Sequence, residues 1–529
     1  MFIFVRYRFM AIFLASASLG LSSCSFNLAP DYKAPHYIYP EGWAGKGIMS
    51  NAHPAETVSR GKWWSILGDP LLNRMEEEML ATNPDLQAAA EVFTQARDVA
   101  RESESKLYPQ LTGSGKMSKN KASTGRLFHR ENGNSITYES NEAYSGAATW
   151  EPDFWDSIRN ATRLEKNLAQ ASAADYALTR LSLQAELASD YVALRGLDAQ
   201  LSVYDDSIRY FSMAVEITRM RQGGAIGAGL DVSRAENQLY AAEAEHDKVE
   251  AAREVMEHAI AVLLNKVPAA FHVKPVHDSH MHFAVISINA GLPSTLLERR
   301  PDIAGAERKM AAASRAIGVS RAAFYPHVTF SATGGFEDGG FDLASISKAM
   351  WGIAVQAVEP VFTGGLRRAA LQRSWSQYRQ RVDEYRSVVL SAFGDVEDGL
   401  SQIRLYHQEQ MHQHQAVDAA LRTQGMTMAL YTGGLSNYLD ALVAQQDALK
   451  ARLQEVSAQT SQIQAGIRLI RALGGGWQRS DLPTVKQIDP FGPLQYGNLD
   501  RPRGVKDVSA PTKANVNDLS SKVGFEHKS

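Results

Sequence analysis

Residues 157–222 read SIRNATRLEKNLAQASAADYALTRLSLQAELASDYVALRGLDAQLSVYDDSIRYFSMAVEITRMRQ, with no proline and a single glycine, Gly196. Along them Leu164, Leu168, Ala171, Ala174, Leu178, Leu181, Ala185, Ala188 and Val192 step by 4, 3, 3, 4, 3, 4, 3 and 4 residues. That spacing approximates a coiled-coil seam and predicts one unbroken helix. A second stretch, about 365–432, carries Val382, Tyr385, Val389, Ala392, Val396, Gly399, Ile403 and Tyr406 in strict alternation of threes and fours. At a rise of 1.5 Å, ~65 residues of helix reach about 100 Å. Helices of that length must lie against neighbours along their extent, in this chain or in copies of it.

Each long stretch ends in a glycine break followed by a returning helix. The first break is Gly223-Gly224-Ala225-Ile226-Gly227-Ala228-Gly229, before a helix from about Asp231 to Leu264. The second is Gly433-Gly434-Leu435-Ser436, before a helix from about Tyr438 to Leu473. Both returns open on a Leu-Asp pair, Leu230-Asp231 and Leu439-Asp440. An acid at a helix start suits the macrodipole and capping preferences, whatever else it does.

Before each long stretch the period changes to two. Val328 to Thr333 alternate apolar and hydroxyl residues, and Trp351, Ile353, Val355 and Ala357 share one parity against Gly352, Ala354, Gln356 and Val358. Tyr144, Gly146, Ala148 and Trp150 likewise oppose Ser145, Ala147, Thr149 and Glu151, while Gln110 to Lys119 alternates less clearly. Apolar-out, polar-in alternation with Trp and Tyr near the ends fits lipid-facing barrel strands. A half-buried soluble hairpin would show the same alternation.

The order of landmarks is duplicated. Tyr108-Pro109 matches Tyr325-Pro326, Glu151-Pro152 matches Glu359-Pro360, and Leu230-Asp231 matches Leu439-Asp440, at offsets of 217, 208 and 209 residues. Each half therefore reads helix, hairpin, very long helix, turn, helix: an internal two-fold repeat of a whole domain. Four strands cannot close a barrel, and open edges are not tolerated in lipid. Several chains must share one barrel, and periodicity admits eight strands from two chains or twelve from three.

The N-terminus reads as a processing segment. Arg6 and Arg8 precede an apolar run, Phe9 to Gly20, which ends in Leu21-Ser22-Ser23-Cys24. This resembles the signal peptide and lipobox of bacterial lipoproteins, in which the Cys becomes the new N-terminus and carries S-diacylglycerol and an N-acyl chain. Cys24 is the only cysteine of 529 residues, and lipidation accounts for an exported thiol without a disulfide partner. Ser25 is compatible with sorting to the outer membrane. The net charge of −3 gives no sign of a nucleic-acid surface. Past the signal no apolar run reaches the ~18 residues of a membrane helix, so any span must be β-barrel.

The linear motifs are more specific than the periodicities. Gly291-Leu292-Pro293-Ser294-Thr295-Leu296-Leu297-Glu298-Arg299-Arg300-Pro301-Asp302-Ile303 continues through Ala306-Glu307-Arg308, Ile317-Gly318-Val319 and Ala322-Ala323-Phe324-Tyr325-Pro326. With Trp63-Trp64, Asp69-Pro70-Leu71, Asn83-Pro84-Asp85-Leu86, Glu359-Pro360-Val361-Phe362 and Ala472-Leu473-Gly474-Gly475-Gly476-Trp477, they cover about Cys24 to Trp477. Together they resemble the TolC-like outer-membrane factor family, in its NodT-type lipoprotein branch serving resistance-nodulation-division efflux systems. The resemblance implies an α+β membrane protein. Three chains would share a 12-stranded β-barrel, four strands each, continuous with a long α-helical barrel in the periplasm. The expected division is a signal peptide at 1–23, a lipidated segment along the equatorial region at 24–70, repeat 1 at 71–290, repeat 2 at 291–477, and a partly disordered tail at 478–529. It further implies no covalent chemistry and no cofactor beyond the lipid. The partners would be a periplasmic adaptor (membrane fusion) protein and an inner-membrane pump, for which the trimer is a passive exit duct for drugs or other small molecules.

By position, the resemblance places the periplasmic gate at Leu439 and Asp440 with Tyr431 near it, and Asp231 as the matching acid of repeat 1. Three copies of Asp440 about one axis would form an acidic ring favouring cation entry, and Leu439 a hydrophobic constriction. N-capping remains the local alternative for both acids. Gly223, Gly224, Gly433, Gly434, Leu435 and Ser436 resemble adaptor-contact tips, where glycine permits positive φ. The chain departs from some members at Val443, where they carry a second acid, and at Ser436, where they carry a locking basic residue.

Other constellations are weaker. His272, His277, His280 and His282 fall within eleven residues and could ligate zinc or copper, with only Asp278 nearby. His407, His412 and His414 read as a solvated helix face, and the Gly223–Gly229 break lacks the Lys-Ser/Thr of a phosphate loop. Two alternatives stay open: a type I secretion conduit for polypeptides and a periplasmic coiled-coil scaffold lipoprotein.

Overall fold

A computed structural model describes residues 26–33, 42–43, 62–121, 138–224, 228–283, 296–339 and 348–488. The signal segment, Cys24 and the Gly291–Thr295 part of the long motif lie outside them. After a short 3-10 turn at Trp63–Leu67 come α1 (Pro70–Thr82), α2 (Pro84–Ser105), β1 (Gln110–Lys121), β2 (Tyr138–Trp150), α3 (Ser157–Gly223) and α4 (Gly229–Leu263). The second half runs α5 (Pro301–Ala322), β3 (His327–Asp338), β4 (Ala349–Val358), α6 (Leu366–Thr432) and α7 (Tyr438–Ala472). The duplication reaches the element lengths. Helices α2 and α5 have 22 residues each, α3 and α6 have 67 each, and α4 and α7 have 35 each.

Local chemistry explains the starts. The Asp69 carboxylate accepts from the Leu71 and Leu72 N–H groups at 2.7 and 3.3 Å, with Pro70 opening α1. The Asn83 side chain accepts from Leu86 N–H at 2.9 Å, with Pro84 opening α2. Both are N-caps followed by proline at the first helical position, where the missing N–H costs nothing. The same Asn83 amide donates to the Leu263 carbonyl at 2.9 Å, tying this corner to the end of α4.

The predicted seam is only part of what α3 buries. Ala171, Ala174, Leu181, Ala185, Ala188 and Val192 are buried, but so are Leu183, Leu187, Tyr191 and Leu194 on other faces, whereas Leu168 is exposed. The reason is that α3 packs against α2, α4, α5 and α7 at once. Its one internal glycine is required: a Cβ at Gly196 would sit 2.5 Å from the Thr460 hydroxyl of α7. Helix α6 is different. Tyr385, Val389, Ala392, Val396 and Gly399 bury the predicted seam, while Leu390, Leu405, Met426 and Leu430 remain exposed.

The four strands form one antiparallel sheet in the order β1-β2-β3-β4. Gly113 faces Gly146, Gly146 faces Gly334, and Gly334 faces Trp351, so residues of one parity stay on one face across all four strands. One face carries Leu111, Tyr144, Ala148, Trp150, Phe330, Ala332, Phe336, Trp351, Ile353 and Val355. The other carries Thr112, Ser114, Ser145, Thr149, Ser331 and Thr333. The weakly patterned β1 thus joins the sheet over Gln110–Lys121 because its partner fixes its register, not because its own residues alternate strongly. Among the described residues no helix is long and apolar enough to cross a membrane.

Midway along the helices, Trp63, Trp64, Leu67, Leu187, Tyr191, Leu194, Ile260 and Leu264 share a buried core. A polar chain runs through it. Tyr191 donates to Asp69 at 2.6 Å, Arg195 pairs with Asp198 at 2.8 Å, and Arg253 bridges Asp198 (2.6 Å) and Glu257 (2.9 Å). Arg253 also donates to the Val273 carbonyl at 2.7 Å, clasping part of the equatorial segment to α4. The chain after α7 returns as a one-turn helix, Val485–Ile488, whose Ile488 is buried against Ala100 and Ala169.

Candidate functional site

The far ends of the two helical hairpins converge on a small buried cluster of Ala214, Val215, Ala235, Tyr431, Tyr438 and Ala441. It joins the end of α3 and start of α4 to the end of α6 and start of α7, so the tips of the two repeats are packed together. The rings of Tyr431 and Tyr438 lie 5.3 Å apart. The Arg221 guanidinium, in the last turn of α3, stacks over the Tyr431 ring at 4.6 Å and donates to the Tyr431 carbonyl at 2.5 Å. Burial pushes the Tyr431 phenol up, opposed by Arg221 and reinforced by Asp231. Burial, with Tyr431 and Asp231 beside it, pushes Tyr438 up to about 12.

The two turns are built differently. At the end of α6, Leu435 N–H donates to the Leu430 carbonyl and Gly434 N–H to the Tyr431 carbonyl, with Gly434 at φ +76°. This is the Schellman arrangement, which needs a left-handed residue that glycine supplies without strain. At the end of α3, Gly224 has φ −80° and bonds back to Met220. The positive φ that glycine permits is used in this set at Gly434 alone; Gly223 closes α3 as its last helical residue.

Capping by the two acids is also corrected. The cap of α7 is Asn437, whose side chain accepts from Asp440 N–H at 3.0 Å. Asp440 is the third helical residue, and its carboxylate accepts from the Ser436 hydroxyl at 2.7 Å. Asp231 makes no capping bond and lies 4.0 Å from Arg234. Leu439, Asp440 and Val443 are exposed, as is Leu435 at 81%. Tyr431 is buried in the inter-helix cluster. Arg221 was not evident from sequence: its partner is 210 residues away, and no local pattern marks it.

At the other end of α3, the strand feet carry an aromatic group. Trp155 stacks on Tyr325 at 4.6 Å and donates to the Pro326 carbonyl at 2.9 Å, and Trp150 donates to the Leu107 carbonyl at 3.0 Å. Phe26 stacks on Trp155, with its N–H bonded to the Phe154 carbonyl at 2.8 Å. The first described residue therefore sits at the foot of the sheet, two positions after Cys24. Aromatic residues at strand ends are the usual signature of a membrane interface.

Among the described residues the equatorial histidines do not gather into a group of three donors. His280 and His282 both address Asp278, at 3.6 and 2.8 Å, while His272 approaches Glu257 at 3.5 Å. The His280 N–H and His282 hold the Asp278 carboxyl below its usual range. On α6, His414 pairs with Glu455 at 2.7 Å, and His407 meets Gln462.

A sequence profile of the outer membrane efflux protein family matches residues 76–266 and 292–475. The chain belongs to that family. Pyoverdine export outer membrane protein OpmQ of Pseudomonas putida is 29% identical over 482 residues, covering 89% of this chain and 98% of OpmQ. The toluene efflux pump outer membrane protein TtgC of P. putida is 26% identical, covering 88% of this chain and 95% of its own length. The cation efflux system protein CusC of Escherichia coli is 27% identical, with 87% and 98% covered. Among solved structures, the outer membrane protein VceC of Vibrio cholerae superposes with a TM-score of 0.72 at 26% identity, covering 79% of this chain and 99% of VceC. The CmeC outer membrane channel of Campylobacter jejuni shares the fold, with a TM-score of 0.79 at 20% identity over 87% of this chain and 97% of CmeC. As an outer membrane efflux protein, the chain works in the outer membrane as an efflux channel. The names of these relatives carry unlike cargo: pyoverdine, toluene and a cation.

Proposed function

We propose that three copies of this chain form one duct, with 12 strands in the outer membrane and a helical tunnel below, through which small molecules leave passively. The observation that carries this is the sheet. It has an apolar and a hydroxyl-rich face in common register, and β1 and β4 each pair on one side only. Those edges need partners in lipid. Two chains would give an eight-stranded barrel, whose interior is filled by side chains, whereas more strands leave a lumen. The exposed apolar residues of α6 supply a second surface for a neighbouring copy.

The finer assignments rest on that assembly. Leu439 and Asp440, exposed at the start of α7, line the periplasmic opening as a hydrophobic and an acidic ring, with Asp231 as the equivalent acid of repeat 1. Tyr431 acts from behind them, through Arg221 and Tyr438, by holding the hairpin tips together. The exposed Gly223-Gly224 and Gly433-Gly434-Leu435-Ser436 turns meet a periplasmic adaptor protein, which links the duct to an inner-membrane pump of the resistance-nodulation-division class. Lipid on Cys24, two positions before the Phe26 that stacks on Trp155, is an accessory to the barrel. The pump selects the cargo, in keeping with the unlike cargoes of the relatives.

Channel recordings in planar bilayers test this reading. Purified protein should insert stepwise as trimers, and Asp440→Ala should reduce cation preference. Conductance insensitive to that substitution would return Asp440 to a purely local role.

A further inference from the structure

The structure assigns a divalent-metal site to the outside of the first hairpin, at His246, Asp247 and Glu250 of α4, with Asp205 of α3 behind the histidine. One donor atom from each of the three α4 residues lies within 4.8 Å of the others. His246 and Glu250 are four residues apart and so share a helix face. His246 Nδ1 is 3.6 Å from Asp247 Oδ1, and its Nε2 is 3.3 Å from Asp205 Oδ1.

The His246 ring sits between two carboxylates, Asp205 across the hairpin at 3.3 Å and Asp247 on its own helix at 3.6 Å, and both distances exceed an ordinary hydrogen bond. Glu250 brings a third carboxylate, one donor atom of each α4 residue lying within 4.8 Å of the others. Three carboxylates about one imidazole leave negative charge that a cation would neutralise. Ligands bound at ~2.0–2.2 Å to a tetrahedral ion are themselves about 3.4 Å apart, so the exposed Asp247 and Glu250 side chains need only turn inward to close on one. The carboxylate on the far ring nitrogen is the second-shell partner that metal-bound histidines commonly have, fixing tautomer and ring orientation.

One imidazole with two carboxylates suits a borderline first-row ion, with Zn2+ as the natural probe, and water completes the shell. The site is about 25 Å along α4 from its tip, at 1.5 Å per residue. An ion there fastens α4 to α3 through His246 and Asp205, stiffening the hairpin above the proposed gate. It does not depend on the gate assignment.

The test uses the full-length, detergent-purified protein, stripped with a chelator and titrated with Zn2+ alone against a chromophoric competitor. Visible absorption of Co2+ reports the coordination geometry. One Zn2+ per chain is expected, abolished by His246→Ala and by the Asp247→Asn, Glu250→Gln double variant. Asp205→Asn should weaken binding about 10–100-fold, as loss of a second-shell carboxylate typically does. Replacing His277, His280 and His282 together should leave it unchanged. No binding by the parent protein, stoichiometric binding that survives His246→Ala, or binding lost with the equatorial histidines would each overturn the assignment.

Discussion

Arg221 links the two repeats at their tips, and replacing it with alanine should loosen them measurably. The side chain makes a charged hydrogen bond to the Tyr431 carbonyl and covers the Tyr431 ring at 4.6 Å. A hydrogen bond from a charged donor contributes about 1.5–3 kcal/mol, and a semi-exposed cation–π contact about 0.5–1 kcal/mol. Water replaces part of both, leaving a loss of about 2 kcal/mol, or a ~30-fold shift toward separated tips at 1.4 kcal/mol per tenfold. In bilayer recordings Arg221→Ala should therefore raise open probability or conductance well above the parent level. Arg221→Lys, which keeps the charge but loses the planar stack, should fall between. Arg219→Ala is the control, because Arg219 pairs with Glu236 inside the same hairpin. Parent-like behaviour of Arg221→Ala, or an equal effect of Arg219→Ala, would refute a tip-linking role for Arg221.

Three further outcomes follow from the same geometry. Gly434→Ala should cost about 1–2 kcal/mol at the second turn, from the left-handed φ alone, while Gly224→Ala should be tolerated; thermal melts of the two variants compare them. Arg253→Met leaves Glu257 buried without its arginine and Asp198 with Arg195 alone, and should cost about 3–5 kcal/mol, read as a large fall in Tm and loss of assembled protein. For Tyr438 the sign is fixed by a phenol raised from 10 to about 12. Its contribution is complete below pH 10 and is lost as pH rises toward about 12, so stability should drop across that window. Tyr438→Phe should flatten the drop, by on the order of 1–2 kcal/mol in chemical denaturation.

The long elements were legible because their information is local. The uninterrupted 3-4 spacing of residues 157–222, the glycine breaks and the Asp69-Pro70 and Asn83-Pro84 starts each act within a few residues. The repeat was legible because the landmarks kept their order, and the helix lengths then matched. What escaped was decided between distant segments. The extra buried faces of α3 come from four packing partners. Arg221 on Tyr431, Arg253 between Asp198 and Glu257, and His246 before Asp205 each require two helices to be placed side by side. The histidines that stand out in sequence, His272 to His282, are grouped by chain proximity, yet His280 and His282 share Asp278 while His272 turns to Glu257. The place of Asp440 at the helix start is plain in the sequence, but Asn437 three residues earlier holds the cap.

The most direct measurement of the shared barrel is the native mass of the detergent-extracted Cys24→Ala protein. Without a lipid anchor, the protein should still require detergent for extraction and fly as three chains, because paired β1 and β4 edges hold it in the membrane. Extraction in buffer alone, or a mass of one or two chains, would contradict it.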